Sequence, residues 1–149
     1  MELEMLAERA AEEDAQTPWP VRFLSPPEKA ASDGPSWPTR FRVVLDEALR
    51  ALLDEMRTGA SEAVLARRFH RTVAEAIVRG AERLAEEAGT RQVALGGGVF
   101  QNQLLLGMVV DGLAECGLTS LLPRDIPAND AGISYGQLAA AAWELRRGT

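Results

Sequence analysis

The run Gln92-Val93-Ala94-Leu95-Gly96-Gly97-Gly98-Val99-Phe100-Gln101-Asn102-Gln103-Leu104-Leu105-Leu106 decides the fold. Its first four residues have the apolar character of a short buried strand. Three glycines follow, and apolar residues then recur as on a helix through Val109, Val110 and Leu113, until Gly117 stops it. A second strand is expected over 118–122, a loop over 123–130, and a final helix over about 132–147. On that last helix Ala139, Ala140, Ala142, Trp143 and Leu145 are available to pack.

Upstream, Ser61 opens a long helix to about residue 88, with Leu65, Phe69, Val73, Ile77 and Leu84 as its core stripe and Gly89 where a left-handed cap belongs. Residues 41–45 read as a short strand leading into a helix whose apolar face is Leu45, Leu49, Leu52, Leu53 and Met56, closed by Thr58-Gly59. Helix–strand–helix–strand–helix is an α/β order that implies parallel pairing. Residues 16–39 break every period: Pro18, Pro20, Pro26, Pro27, Pro35 and Pro38 punctuate them, so an irregular Pro-rich loop is expected, with Trp19, Phe23 and Trp37 as its packing points. A first helix is expected over 1–13, with Leu3, Leu6, Ala7 and Ala10 opposite the glutamates. It starts without an N-cap, as if cut from a longer helix.

A chain of 149 residues supplies one domain with one core, and 46% apolar against 26% charged residues is the balance of a globular domain. No run of about 18 apolar residues and no signal-peptide pattern is present, so a cytoplasmic protein without a membrane span is expected. The net charge of −6 is concentrated: six acids against one base in the first fourteen residues give −5, leaving −1 for the other 135. No basic stripe with interleaved aromatics exists, so no nucleic-acid partner is expected. Cys116 is the only cysteine, which excludes an internal disulfide, and its place between Leu113 and Leu118 suits a half-buried structural thiol. His70 is the only histidine, and no nucleophile-elbow pattern accompanies it.

Each of the three glycines at 96–98 carries an entropic penalty and so needs a reason. Strand-to-helix turns of this type bring backbone N–H groups to an anionic or ribosyl group, at the strand end where ligands of open α/β sheets gather. A tight turn that merely lets helix and strand pack closely is the alternative. Neither a Walker loop nor a dinucleotide fingerprint is present, because Val99-Phe100 and Gln101 stand where Lys-Ser/Thr and glycine are required. In Ile126-Pro127-Ala128-Asn129-Asp130-Ala131-Gly132, Asn129 or Asp130 fits an N-cap, while the Asp130 carboxylate also suits one ligand of a divalent metal facing the same cleft.

The two segments together resemble the C-terminal domain of the hydrogenase-maturation carbamoyltransferases (HypF). The matching residues are Gly97-Gly98-Val99-Phe100-Gln101-Asn102, Pro127, Asn129-Asp130, Gly132-Ile133, Gly136-Gln137 and Ala141. Upstream, Leu65-Ala66-Arg67-Arg68-Phe69-His70 and Met1-Glu2-Leu3-Glu4 are similar to further family segments, so the resemblance covers essentially the whole chain, 1–149. It implies the second lobe of an actin-like, sugar-kinase-like ATPase (ASKHA, ribonuclease H-like) fold. It also implies a part in ATP-dependent carbamoyl transfer from carbamoyl phosphate, through carbamoyl-adenylate with Mg, to the C-terminal cysteine of a HypE-like acceptor protein. There the group becomes the cyanide ligand of nickel–iron hydrogenase. A free-standing nucleotide-binding or accessory lobe, and an O-carbamoyltransferase of small molecules, are the alternatives.

By the same resemblance Gly97, Gly98, Asn102 and Glu2 line the nucleotide site, and Asp130 binds a divalent metal (Zn or Fe) shared with a first lobe that supplies the family's metal-binding histidines. That lobe is not in this sequence, so no catalytic residue is assigned and the chain alone is expected to be inactive. His70 is expected to be a packing or helix-end residue. Two departures stand out: Gly96 replaces the family's serine, and Ala131 replaces a glycine, which restricts the backbone there if positive φ is needed.

Overall fold

The computed structural model describes residues 2–11, 15, 17–25, 41–125 and 129–147. The elements run α1 (Glu2–Ala7), β1 (Arg22–Leu24), β2 (Arg42–Val44), α2 (Asp46–Arg57), α3 (Glu62–Ala88) and β3 (Gln92–Ala94). A 3₁₀ turn (Gly98–Gln101), α4 (Gln103–Glu115), β4 (Thr119–Leu121), a second 3₁₀ turn (Asp130–Gly132) and α5 (Ile133–Arg147) complete the order.

Helix α3 is the spine, and local chemistry sets both of its ends. The Ser61 hydroxyl accepts from the Val64 N–H at 3.3 Å, as an N-cap should. At the other end Gly89 takes φ 63°, Thr90 N–H donates to Ala85 O and Gly89 N–H to Glu86 O, the paired bonds of a Schellman stop. Helix α4 closes identically: Gly117 lies at φ 70°, with Leu118 N–H on Leu113 O and Gly117 N–H on Ala114 O. Helix α2 does the same at Gly59, φ 87°. The strands that follow α3 and α4 pair in parallel, as their order implies, in the register Gln92↔Thr119, Val93↔Ser120 and Ala94↔Leu121.

The larger core lies between α3, α4 and this sheet: Ala74, Val78, Ala85, Leu95, Leu105, Val109, Leu113 and Leu118. Helices α3 and α4 approach closely at Gly112, where a Cβ would sit 2.8 Å from Val78 Cγ2. Ala74 and Val78 bury against that contact, whereas of the expected stripe Leu65 is buried, Phe69, Val73 and Ile77 are half-buried and Leu84 is exposed.

A second cluster centres on Trp19, Ala48 and Leu65. The indole Nε1 donates to Glu55 Oε1 at 2.9 Å, the Trp19 N–H donates to Thr72 Oγ1 at 3.0 Å, and the Arg68 guanidinium lies 5.3 Å over the ring. Trp19 is therefore the packing point expected of it, with its polar edge satisfied. On α2 the buried side is Ala48 with half-buried Leu45, Ala51 and Leu52, so Leu49, Leu53 and Met56 stand exposed, contrary to expectation.

The segment 16–39 is not wholly irregular. β1 lies within it and pairs antiparallel with β2, Phe23 opposite Val43. Phe23 and Phe41 meet edge to face at 5.2 Å, and Arg79 and Arg83 of α3 lie 5.0 and 4.6 Å over the Phe23 ring. Trp37 and residues 26–40 lie outside the described residues. Arg22 joins the hairpin to α2 through Asp46 at 2.9 Å and Glu47 at 3.1 Å, and its guanidinium holds the Asp46 carboxyl below the usual carboxylate range.

Helix α1 ends at Ala7, earlier than expected, with Ala7 fully buried, Leu6 and Ala10 half-buried and Leu3 exposed; residues 12–14 lie outside the described part. Helix α5 forms where expected, but its side chains do not bury: Ala139, Ala140, Ala142, Trp143 and Leu145 are all exposed. No helix among the described residues is long and apolar enough to cross a membrane.

Candidate functional site

The glycine turn sits at the C-terminal end of β3. Leu95 N–H still donates to Leu121 O at 3.0 Å, and the chain then leaves the sheet. Gly97 takes φ 107° and ψ 157°, a conformation reserved for glycine. Among the described residues it is the only positive-φ glycine that does not stop a helix. A Cβ built on Gly96, Gly97 or Gly98 would meet nothing within 4 Å. The run of glycines therefore does not serve close helix–strand packing, because the space in front of the turn is open. Phe100 N–H returns to Gly97 O and Asn102 N–H to Val99 O, closing the 3₁₀ turn. The leading N–H groups of such a turn, on Gly98 and Val99, have no intrahelical acceptor by geometry. They are available to an oxygen-rich ligand.

Helix α4 starts five residues after Gly98 and is held differently. Asn102 is its N-cap, with Oδ1 accepting from Leu105 N–H at 2.8 Å. The first N–H groups of α4, on Gln103 and Leu104, donate to Glu4 Oε1 at 2.6 and 3.2 Å. The N-terminus of α4 is thus filled by protein oxygens, and a ligand would meet the 3₁₀ turn ahead of it. Glu4, rather than Glu2, reaches across from α1; Glu2 is exposed on that helix. Glu4 lies in the Met1-Glu2-Leu3-Glu4 segment that resembles the family, but no local pattern points to its partners, which lie 99 and 100 residues away.

Asn102 is also coupled to His70. Its Nδ2 lies 2.7 Å from His70 Nε2, while His70 Nδ1 lies 2.8 Å from Ala66 O. His70 is buried in the middle of α3, not at a helix end.

Asp130 opens the second 3₁₀ turn, where Gly132 N–H donates to Asn129 O at 2.8 Å. Its carboxylate is exposed. Among the described residues no group of three His, Cys, Asp or Glu side chains could hold a metal, so Asp130 offers one donor only.

Over residues 1–137 the chain matches the family described as the carbamoyltransferase Kae1-like domain, second subdomain. It belongs to that family.

Among relatives of this carbamoyltransferase subdomain, a carbamoyltransferase HypF homolog of Cupriavidus necator is 46% identical over 96 residues, which is 64% of this chain and 24% of that protein. Carbamoyltransferase HypF of Synechocystis is 36% identical over 62% of this chain and 11% of its own length. A crystal structure of full-length HypF in a phosphate- and nucleotide-bound form superposes with a TM-score of 0.74 and 28% identity, covering 92% of this chain and 16% of that one. HypF of T. kodakarensis shares the fold with a TM-score of 0.72. The subdomain spans a quarter or less of the length of these relatives.

Cys116 ends α4, half-buried as expected, and burial first, then the Glu82, Glu115 and Glu75 carboxylates, pushes its thiol above the ordinary value. It is therefore a structural thiol rather than an activated nucleophile.

Proposed function

We propose that this subdomain forms one wall of the nucleotide site of a carbamoyltransferase with an ASKHA-type fold. The enzyme uses ATP and carbamoyl phosphate, by way of carbamoyl-adenylate, to carbamoylate a partner protein's C-terminal cysteine in hydrogenase maturation. The observation that carries the reading is the turn at Gly96, Gly97 and Gly98, open in front and placed at the C-terminal end of a parallel strand. Support comes also from the likeness to a HypF structure described as phosphate- and nucleotide-bound.

The chemistry asked of these residues is binding and orientation. The Gly98 and Val99 N–H groups donate to phosphate or ribose oxygens, and the absence of side chains at 96–98 lets the ligand approach the backbone. Fixed donors of this kind need no reorganisation as charge develops during acyl transfer. Asn102 contributes by holding the turn, since its Oδ1 and one Nδ2 hydrogen are already engaged. Glu2 lies on the same helix as Glu4, which touches the start of α4, and this supports a place at the ribose or base side of the site. A divalent cation bound with the nucleotide would neutralise phosphate charge. Asp130 fits a metal site as one ligand, the remainder coming from the first lobe.

The test compares the 149-residue chain with the same chain supplemented by the first lobe of a HypF relative, measuring ATP-dependent carbamoylation of an acceptor protein. We expect no turnover alone, turnover on addition of the lobe, and loss of that turnover in Gly98→Val. Robust turnover by the isolated chain, or an undiminished Gly98→Val, overturns the reading. In the reconstituted enzyme Asp130→Ala should lower retained metal; unchanged metal content removes the ligand role.

A further inference from the structure

We infer that His70 is a positioning residue for the nucleotide turn, acting through the carboxamide of Asn102. The inference rests on the reading of that turn as the nucleotide-binding wall.

Two bonds independently fix the state of the His70 ring. A carbonyl oxygen can only accept, so the 2.8 Å contact with Ala66 O requires the proton on Nδ1. A carboxamide nitrogen can only donate, so the 2.7 Å contact with Asn102 Nδ2 requires a lone pair on Nε2. The Asn102 amide cannot be turned the other way without losing the bond from Leu105 N–H to its Oδ1. All three contacts agree on one arrangement: a neutral ring that carries its proton on Nδ1, with Nε2 acting as an acceptor.

Asn102 is the joint between the 3₁₀ turn and α4. Its N–H closes the turn onto Val99 O, its C=O accepts from Leu106 N–H at 3.0 Å, and its Oδ1 caps α4. The remaining polar group, Nδ2, is the one His70 holds. The holder sits on the 27-residue spine helix, both of whose ends are closed. Ala66 and Ala74, one turn to either side of His70, are buried and small, which gives the ring its slot. A residue needed only to fill this slot would be apolar, since a buried polar ring is tolerated only with partners. The imidazole supplies an acceptor at the height of Nε2 that leucine lacks and glutamine retains. Rigidity thus passes from α3 through His70 and Asn102 into the segment bearing the Gly98 and Val99 amides.

The experiment uses the ¹⁵N-labelled chain as wild type, His70→Gln and His70→Leu. Each is followed by amide spectra of Gly97, Gly98, Val99 and the Asn102 side chain, by thermal melting, and by Mg–ATP titration into the millimolar range. In the wild type the imidazole ¹⁵N shifts should report the Nδ1–H tautomer. His70→Leu should shift or broaden the turn amides and weaken ATP binding about tenfold, the scale of one hydrogen bond. His70→Gln should stay within about threefold of wild type. If His70→Leu does not fold, the comparison of His70→Gln with wild type still decides, because a loss of tenfold or more there shows that the acceptor is not what matters. Unchanged turn amides and unchanged ATP affinity in a folded His70→Leu overturn the positioning role alone. ATP that moves no turn amide of the wild-type chain overturns the nucleotide reading beneath it.

Discussion

At Asn102 a single side chain serves two helices: it caps α4 and gives His70 its only donor to Nε2 among the described residues. Replacement by alanine removes the cap, about 1 kcal/mol, and strands a buried imidazole acceptor, about 1–3 kcal/mol. Asn102→Ala should therefore lose about 2–4 kcal/mol of stability by urea titration, more than a cap alone explains. A loss near 1 kcal/mol would mean that the His70 contact contributes nothing. Cys116 makes a second prediction at this scale. Its raised pKa leaves less thiolate at a given pH, so alkylation at pH 8 should be slower than for an unfolded peptide thiol. The linkage sign follows: the folded pKa lies above the unfolded one, so the thiol's stabilising contribution is complete below the ordinary thiol value. It is lost as pH rises toward the raised value. Alkylation as fast as in denaturant would contradict the burial.

Between elements, the α3–α4 contact is the tightest fit of the core. Gly112→Ala places a methyl 2.8 Å from Val78 Cγ2, inside any real carbon contact, and should destabilise by about 1–3 kcal/mol. Val78→Ala in the same chain should recover part of that loss, and additive losses in the double variant would show that the two sites do not touch. The elements that sequence reading places correctly carry their own punctuation: Ser61 and Gly89 around α3, Gly117 after α4, and the change of period at Gln92. What it misses is set by partners distant in sequence. β1 is hidden among prolines because its three residues owe their state to β2, about twenty positions later. The buried face of α2 is chosen by Trp19, and Leu49, Leu53 and Met56 are as apolar as the residues that won. At the site, Gly97 is readable because a backbone conformation demands glycine. Glu4 and the His70–Asn102 pair are not, since no spacing rule spans 99 or 32 residues.

On the scale of the whole molecule, the described residues form two apolar clusters sharing one spine, and helix α5 adds little to either. Helix α5 is alanine-rich and 15 residues long, with Ile133, Leu138 and Leu145 exposed, and a lone helix of that length is marginal in water. Hydrogen exchange on the isolated chain should find the α5 amides close to unprotected while the centres of α3 and α4 exchange slowest. Protection of α5 equal to that of α4 would contradict the exposure of its side chains.

The matched Schellman stops at Gly89 and Gly117 act as a common ruler. Each lets the chain leave its helix in the same way, so β3 and β4 start side by side, with Thr119 N–H on Arg91 O at 2.7 Å. Sheet register is thus counted from the helix ends, and the glycine turn is counted from the register. One residue inserted between Gly89 and Gln92 would exchange the two faces of β3 and carry Gly97 about 3.3 Å along the strand axis. Length in that short connector consequently sets where the glycine turn lies.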